Sequence, residues 1–210
     1  SKTMNLFFDR LGVMKKLLGI IILGLFLITP SQADDIQDFQ IEGISIGDSL
    51  LDYFSEEEIK QKKKKGFIYP NKKYYVVSFF SSKYEIYEKV QFHLKSTDKK
   101  YIVYAISGLL YFRNNIKNCH KTMDEVVADI SELFENVEIK NSGFQNHPAD
   151  KTGKSKTKTV FFKFNTGDNI IVGCADFSKE LTNKKGWKDH LRVEIRIDEF
   201  FKWMKYEAYK

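Results

Sequence analysis

Lys89-Val90-Gln91-Phe92-His93-Leu94 alternates polar and apolar side chains with a period of two, and this stretch decides the fold. Successive side chains of a strand point to opposite faces, so Val90, Phe92 and Leu94 turn to a core while Lys89, Gln91 and His93 turn to water. His93 thus reads as a surface histidine, not a ligand. On either side, Tyr74 to Phe80 and Tyr101 to Phe112 are rich in aromatic and β-branched residues. Ser81-Ser82-Lys83 and Ser96-Thr97-Asp98 are short enough to turn antiparallel hairpins, which gives a three-stranded meander.

Towards the N-terminus, Ile41, Ile44 and Ile46 flank Gly43 in an extended segment, and Gly47-Asp48-Ser49 supplies a turn and a cap for the helix-prone Leu50 to Phe54. Ser55-x-x-Glu58 is a capping box, with Glu56 to Glu58 at the positive end of the dipole and Lys62 to Lys65 at the negative end before Gly66. A membrane or polyanion patch is the alternative for these lysines, but the helix dipole accounts for them locally. Towards the C-terminus, Thr122-x-x-Glu125 is a second capping box, and Met123, Val126, Val127, Ile130, Leu133 and Phe134 recur at helical spacing, with Asn136 closing the helix. Val137 to Ile139 is a short strand. Gly143 to Lys158 is the longest loop signal. Val160 to Phe164, Asn169 to Phe177 and Leu191 to Ile197 are three more strands; the last turns Leu191, Val193, Ile195 and Ile197 inward and His190, Arg192, Glu194 and Arg196 outward. Asp198 caps a final helix carrying Phe200, Phe201, Trp203 and Met204.

The predicted class is therefore α+β: a largely antiparallel sheet of about six to seven strands in two halves, each a helix followed by three strands, with the helices packed on one face and a short C-terminal helix. By architecture alone, this order resembles the repeated helix-and-sheet module of beta-lactamase inhibitor proteins and of small outer-membrane assembly lipoproteins. A shared architecture carries no function.

Residues 14–33 read as a secretory signal peptide: Met14-Lys15-Lys16, the apolar run from Leu17 to Ile28, then Ser31-Gln32-Ala33 with small residues at the minus-three and minus-one positions. The run is shorter than the roughly 20 residues of a spanning helix. Cleavage after Ala33 leaves residues 34–210 as one globular domain in the periplasm, with no transmembrane segment, and residues 1–13 read as an upstream extension or fragment. Of the 34 basic and 28 acidic residues, four and one precede Asp34, so the mature charge is only +3. Lysines far outnumber the four arginines, Arg10, Arg113, Arg192 and Arg196, and phosphate and base-edge recognition favours the arginine fork. Nucleic acid is excluded as the expected partner.

Cys119 and Cys174 are the only cysteines. In an oxidising compartment two cysteines in one domain usually pair, so a disulfide is the expected state. The alternatives are a catalytic thiol, with Cys119 beside His120, and a metal site from Cys119, His120, Cys174 and one of His147 or His190; neither has diagnostic spacing. No G-x-S-x-G, H-E-x-x-H, S-x-x-K or P-loop pattern occurs in the mature chain, so no catalytic residue, metal ligand or cofactor is assigned. The candidate binding surface is Trp187 with the outward row His190, Arg192 and Glu194, joined by His147 and Asp150 from the 146–158 loop. The alternative is a wet sheet face with Trp187 folded onto the core edge. The leading function is a non-catalytic binding or envelope-associated module for an envelope protein or small ligand. The other is a periplasmic enzyme, a hydrolase or thiol-dependent catalyst.

Several segments resemble exported proteins of unknown function from AT-rich marine alphaproteobacteria: Ile41 to Tyr53 with Ser55-Glu56-Glu57-Glu58-Ile59, His147-Pro148-Ala149-Asp150 with Gly153-Lys154-Ser155, Asp189-His190-Leu191-Arg192-Val193, and the ending Glu207-Ala208-Tyr209-Lys210. The resemblance implies export and a single domain, and brings no activity with it.

Overall fold

The alternating segments pair into one antiparallel sheet of eight strands in a computed structural model that describes residues 36–80, 84–113, 115–134 and 136–210. The leader at 14–33, its cleavage site, residues 1–13 and the Ser81-Ser82-Lys83 turn lie outside the described residues. One half supplies β1 (Phe67–Ile68), β2 (Tyr74–Phe80), β3 (Lys89–Lys95) and β4 (Val103–Tyr111). The other supplies β5 (Glu138–Asn146), β6 (Lys156–Lys163), β7 (Asn169–Asp176) and β8 (His190–Arg196). Their order is β1-β2-β3-β4-β8-β7-β6-β5, so the halves mirror each other across a β4–β8 seam that pairs Ala105 with Arg196 and Tyr111 with His190.

Each half therefore has four strands, one more in all than the six to seven expected, and the added one is β1. β1 is two exposed residues, too short for any period to show. β5 extends the short strand expected at Val137 to Ile139 into the first four residues of the segment read as a loop: it is an edge strand, exposed or half-exposed throughout, with a bulge between Asn141 and Phe144, and it never alternates. β6 begins at Lys156, so the connection is a turn over residues 147–155.

One face of the sheet carries the main core, including Tyr75, Val77, Phe92, Leu94, Ile106 and Val193. Against it lie α1 (Glu56–Lys64), capped by the expected Ser55–Glu58 box, and α2 (Ile116–Leu133). α2 starts a turn and a half before Thr122, from an Asn115 cap, and Thr122 is buried mid-helix. α2 is clipped to β7 by the Cys119–Cys174 disulfide, with Cα atoms 6.1 Å apart and both residues buried. With both cysteines in this bond no free cysteine remains, which favours the disulfide over the free-thiol and cysteine-metal alternatives.

The C-terminal helix α4 (Asp198–Tyr206) crosses to the opposite face. Phe200, Trp203 and Ala208 pack there on Tyr69, Tyr74, Val76 and Ala105 as a second core. Asp198 is its first residue, not its cap; the Asp198 amide donates to Asp168 Oδ1 at 2.6 Å, so the cap comes from the β6–β7 turn. A further short helix, α3 (Lys179–Lys185), follows β7 and ends at Gly186, whose left-handed φ of 69° reverses the chain towards Trp187. Among the described residues no helix is long and apolar enough to cross a membrane.

Candidate functional site

The sheet face opposite α1 and α2 is neither flat nor fully wet. Its strand register sets residues in rows across both halves: Lys89, Leu109, Arg192, Gly173 in one, and Gln91, Ser107, Glu194, Ile171 in the next. At one end Tyr69 stands against Trp203 and Tyr209 at ring distances of 4.9 and 6.0 Å. At the other, Phe177 packs 5.0 Å from His147, 5.2 Å from Trp187 and 5.8 Å from His190. Between these aromatic walls lies an open groove of about 770 Å³.

Five of the six candidate surface residues line it: His147, Trp187, His190, Arg192 and Glu194. The sixth does not. Asp150 is buried in the 147–155 turn, where Oδ1 accepts from the amide and hydroxyl of Thr152 and Oδ2 from the amide and hydroxyl of Ser155. The Ser155 hydroxyl, and then that of Thr152, hold its carboxyl far below the usual range. Ser155 is fully buried and accepts from the Ser178 amide at the start of α3, so this turn is a built joint and not a spare loop.

The outward row is also drier than a wet face. Glu194 is 1% exposed. Its oxygens accept from Arg196 Nε at 2.7 Å and Nη2 at 3.0 Å, and Arg192 Nη1 stands 3.6 Å away. Burial alone would raise this carboxyl, but Arg196 and then Arg192 outweigh it and bring it down to about 2. His93, expected in water, is 5% exposed, roofed by Phe200 at a ring distance of 4.8 Å and joined to the Tyr69 hydroxyl through Nδ1 at 3.1 Å. Its Nε2 stands 3.8 Å from Glu194, too far for a hydrogen bond, and is buried without a partner among the described residues. Burial lowers its pKa to about 4.

His190 is 9% exposed, and its Nδ1 contacts the Lys188 carbonyl at 2.9 Å; as a carbonyl only accepts, Nδ1 carries the proton. Burial, then the nearby Arg192, lowers its pKa to about 4. The same two causes lower His147 and Lys89. Sequence reasoning missed Lys89, Gln91, Tyr111 and Tyr69 as lining residues. The first two share the polar parity of β3 and could have been paired with the polar row of β8; Tyr69 and Tyr111 give no such signal. Among the described residues no cluster of histidine, cysteine and carboxylate could hold a metal ion. Compared with protein-family profiles, curated proteins and solved structures, the chain has no match.

Proposed function

We propose that this protein is an exported, periplasmic binding module without a catalytic step, and that its ligand lies in the sheet groove. The observation that carries the reading is the burial of Glu194 and His190 on the sheet face opposite α1 and α2, with His93 beside them under Phe200 of α4. A polar row that only faced water would stay hydrated, whereas this one is enclosed between two aromatic walls, the arrangement of a small-molecule site. Export rests on the leader at 14–33 together with a disulfide that suits an oxidising compartment. The enzyme reading has less support. Its thiol form has no free thiol, and a histidine with a pKa of about 4, such as His190, is a weak general base near neutral pH.

The test is native mass spectrometry of the protein released from its own envelope, beside the Trp187→Ala variant. A bound small molecule on the parent protein that is lost from the variant supports the groove. An unliganded parent, or a ligand held equally by Trp187→Ala, overturns it. Turnover of the bound molecule on incubation would make the protein an enzyme.

A further inference from the structure

We propose that the groove selects a small organic anion with a flat aromatic body, its charge on Arg192 and its ring against Tyr111, Phe177 and Trp187. This rests on the groove being a ligand site and adds the chemistry of the ligand.

The two arginines of β8 face the same way and are used differently. Arg196 is committed, because Nε and Nη2 both donate to Glu194 and its side chain is 18% exposed. Arg192 is not. Among the described residues it makes one hydrogen bond, from Nη2 to Gln91 Oε1 at 3.4 Å, and its approach to Glu194 at 3.6 Å exceeds hydrogen-bond length. A guanidinium carries five N–H donors in a fixed fork that fits a carboxylate, so most of Arg192's capacity is open to the groove, where its side chain is 36% exposed.

The charge around it is unbalanced in the same sense. The described lining residues include four cations, Lys89, Lys188, Arg192 and Arg196, against one carboxylate, Glu194, which Arg196 already holds. Lys89 and Arg192 sit in one register row with Leu109 between them, about 10 Å apart at two strand spacings. Crowding of four cations around the single carboxylate Glu194 is costly in a half-buried site, and an anion placed between Lys89 and Arg192 relieves it. Burial first, and then the nearby Arg192, lowers the proton affinity of Lys89 and His190.

The shape selects the rest of the molecule. On β7 the neighbours of Arg192 and His190 are the small residues Gly173 and Ala175, with Thr159 Oγ1 closing on the Gly173 position. The flanking wall is aromatic: Tyr111 stands 6.1 Å from His190, and Trp187, half-buried, stands 5.2 Å from Phe177. Rings in such walls favour edge or offset contact with another ring. A free inorganic anion would leave this wall unused, and a purely apolar body would leave the fork unanswered.

The test is an NMR titration of the intact protein, reading the Arg192 Nε–H and the Trp187 indole N–H. The probes are 1-naphthaleneacetate and indole-3-acetate, their neutral amides, and inorganic phosphate. Both acids should shift both signals, and each amide should bind about tenfold more weakly or worse, the scale of a charged hydrogen bond. Arg192→Gln should bring acid and amide to the same affinity, with Arg192→Lys between. The acid–amide comparison on the parent protein needs no variant to fold. Amides that bind as tightly as the acids overturn the anion assignment while leaving the groove a ligand site. Phosphate that binds as tightly as the aryl acids overturns the aromatic part. If no probe shifts either signal, this inference fails, and the ligand bound in the native envelope preparation decides the groove reading separately.

Discussion

Arg196 holds both carboxylate oxygens of Glu194 on a sheet face where Glu194 is almost wholly out of water. A buried charge pair of this kind adds little over a well-packed apolar pair, but breaking it on one side is severe, because the survivor is left unpaired. Glu194→Gln should therefore cost about 3–5 kcal/mol at neutral pH, read as a lower urea midpoint with an unchanged slope. A loss below about 1 kcal/mol would mean that Arg196 re-solvates freely and the groove floor is wetter than described.

Acid should weaken the fold in two overlapping windows. His93 and His190 have folded pKa values near 4, below the ordinary 6.5, so the unfolded chain takes up protons first as pH falls. Their contribution is complete above pH 6.5 and is lost on the way down to 4, each with a slope of about 1.4 kcal/mol per pH unit inside its window. Glu194 is depressed from 4.5 to about 2, so its contribution is complete above 4.5 and disappears as pH falls through 2. Thermal midpoints measured from pH 7 to 3 should fall continuously, and His190→Gln should flatten the upper window. A level profile between pH 6.5 and 4 would contradict the burial of both histidines.

Reduction should be slow and its effect large. The disulfide closes 55 residues, which corresponds to about 4 kcal/mol in the chain-entropy picture. Both cysteines are at most 2% exposed, so thiol reagents and reductant reach them only after opening. Labelling of the oxidised protein in denaturant should find no thiol, and Cys119→Ser/Cys174→Ser should unfold at distinctly lower urea. Two labelled sites before reduction would show that the pair is open.

The 147–155 turn should not be dispensable. Ser155→Ala removes the acceptor for the Ser178 amide and one partner of Asp150, at a cost of about 1–3 kcal/mol. Replacing Pro148–Lys156 by a Gly/Ser linker should lower the thermal midpoint more than Ser155→Ala does. An unchanged midpoint would show that the Asp150–Ser155–Ser178 contacts add nothing to stability.

Legibility followed what covers each residue. The alternation in Lys89 to Leu94 located β3 and its inner face correctly, because a core and a period-two pattern impose themselves locally. It could not say that Phe200, more than 100 positions later, roofs His93. A polar row shows which way a strand faces, and not whether an aromatic wall stands over it. Most of β5 and the start of β6 escaped for a related reason: segments with no buried face keep polar residues on both sides, so Lys156-Thr157-Lys158 reads as loop although its backbone is paired on both sides. Five of the six candidate residues line the groove, being aromatic or charged on a recognised strand or beside it. Asp150 misled because a carboxylate serving a turn and one serving a ligand look alike in one dimension.

The seam between β4 and β8 has a consequence for how occupancy would be felt. It pairs residues 79 to 91 positions apart, the strand pairings whose closure costs most chain entropy and which hold the mirrored halves together. The groove floor straddles that seam, with Lys89, Gln91 and Leu109 from one half and Gly173, Arg192 and Glu194 from the other. A molecule lying there would act as a clasp. Its binding energy adds to the folded state in proportion to the logarithm of its concentration, so backbone amides of β4 and β8 should exchange with deuterium more slowly when the groove is filled, while the outer β5–β6 hairpin should open and close as before.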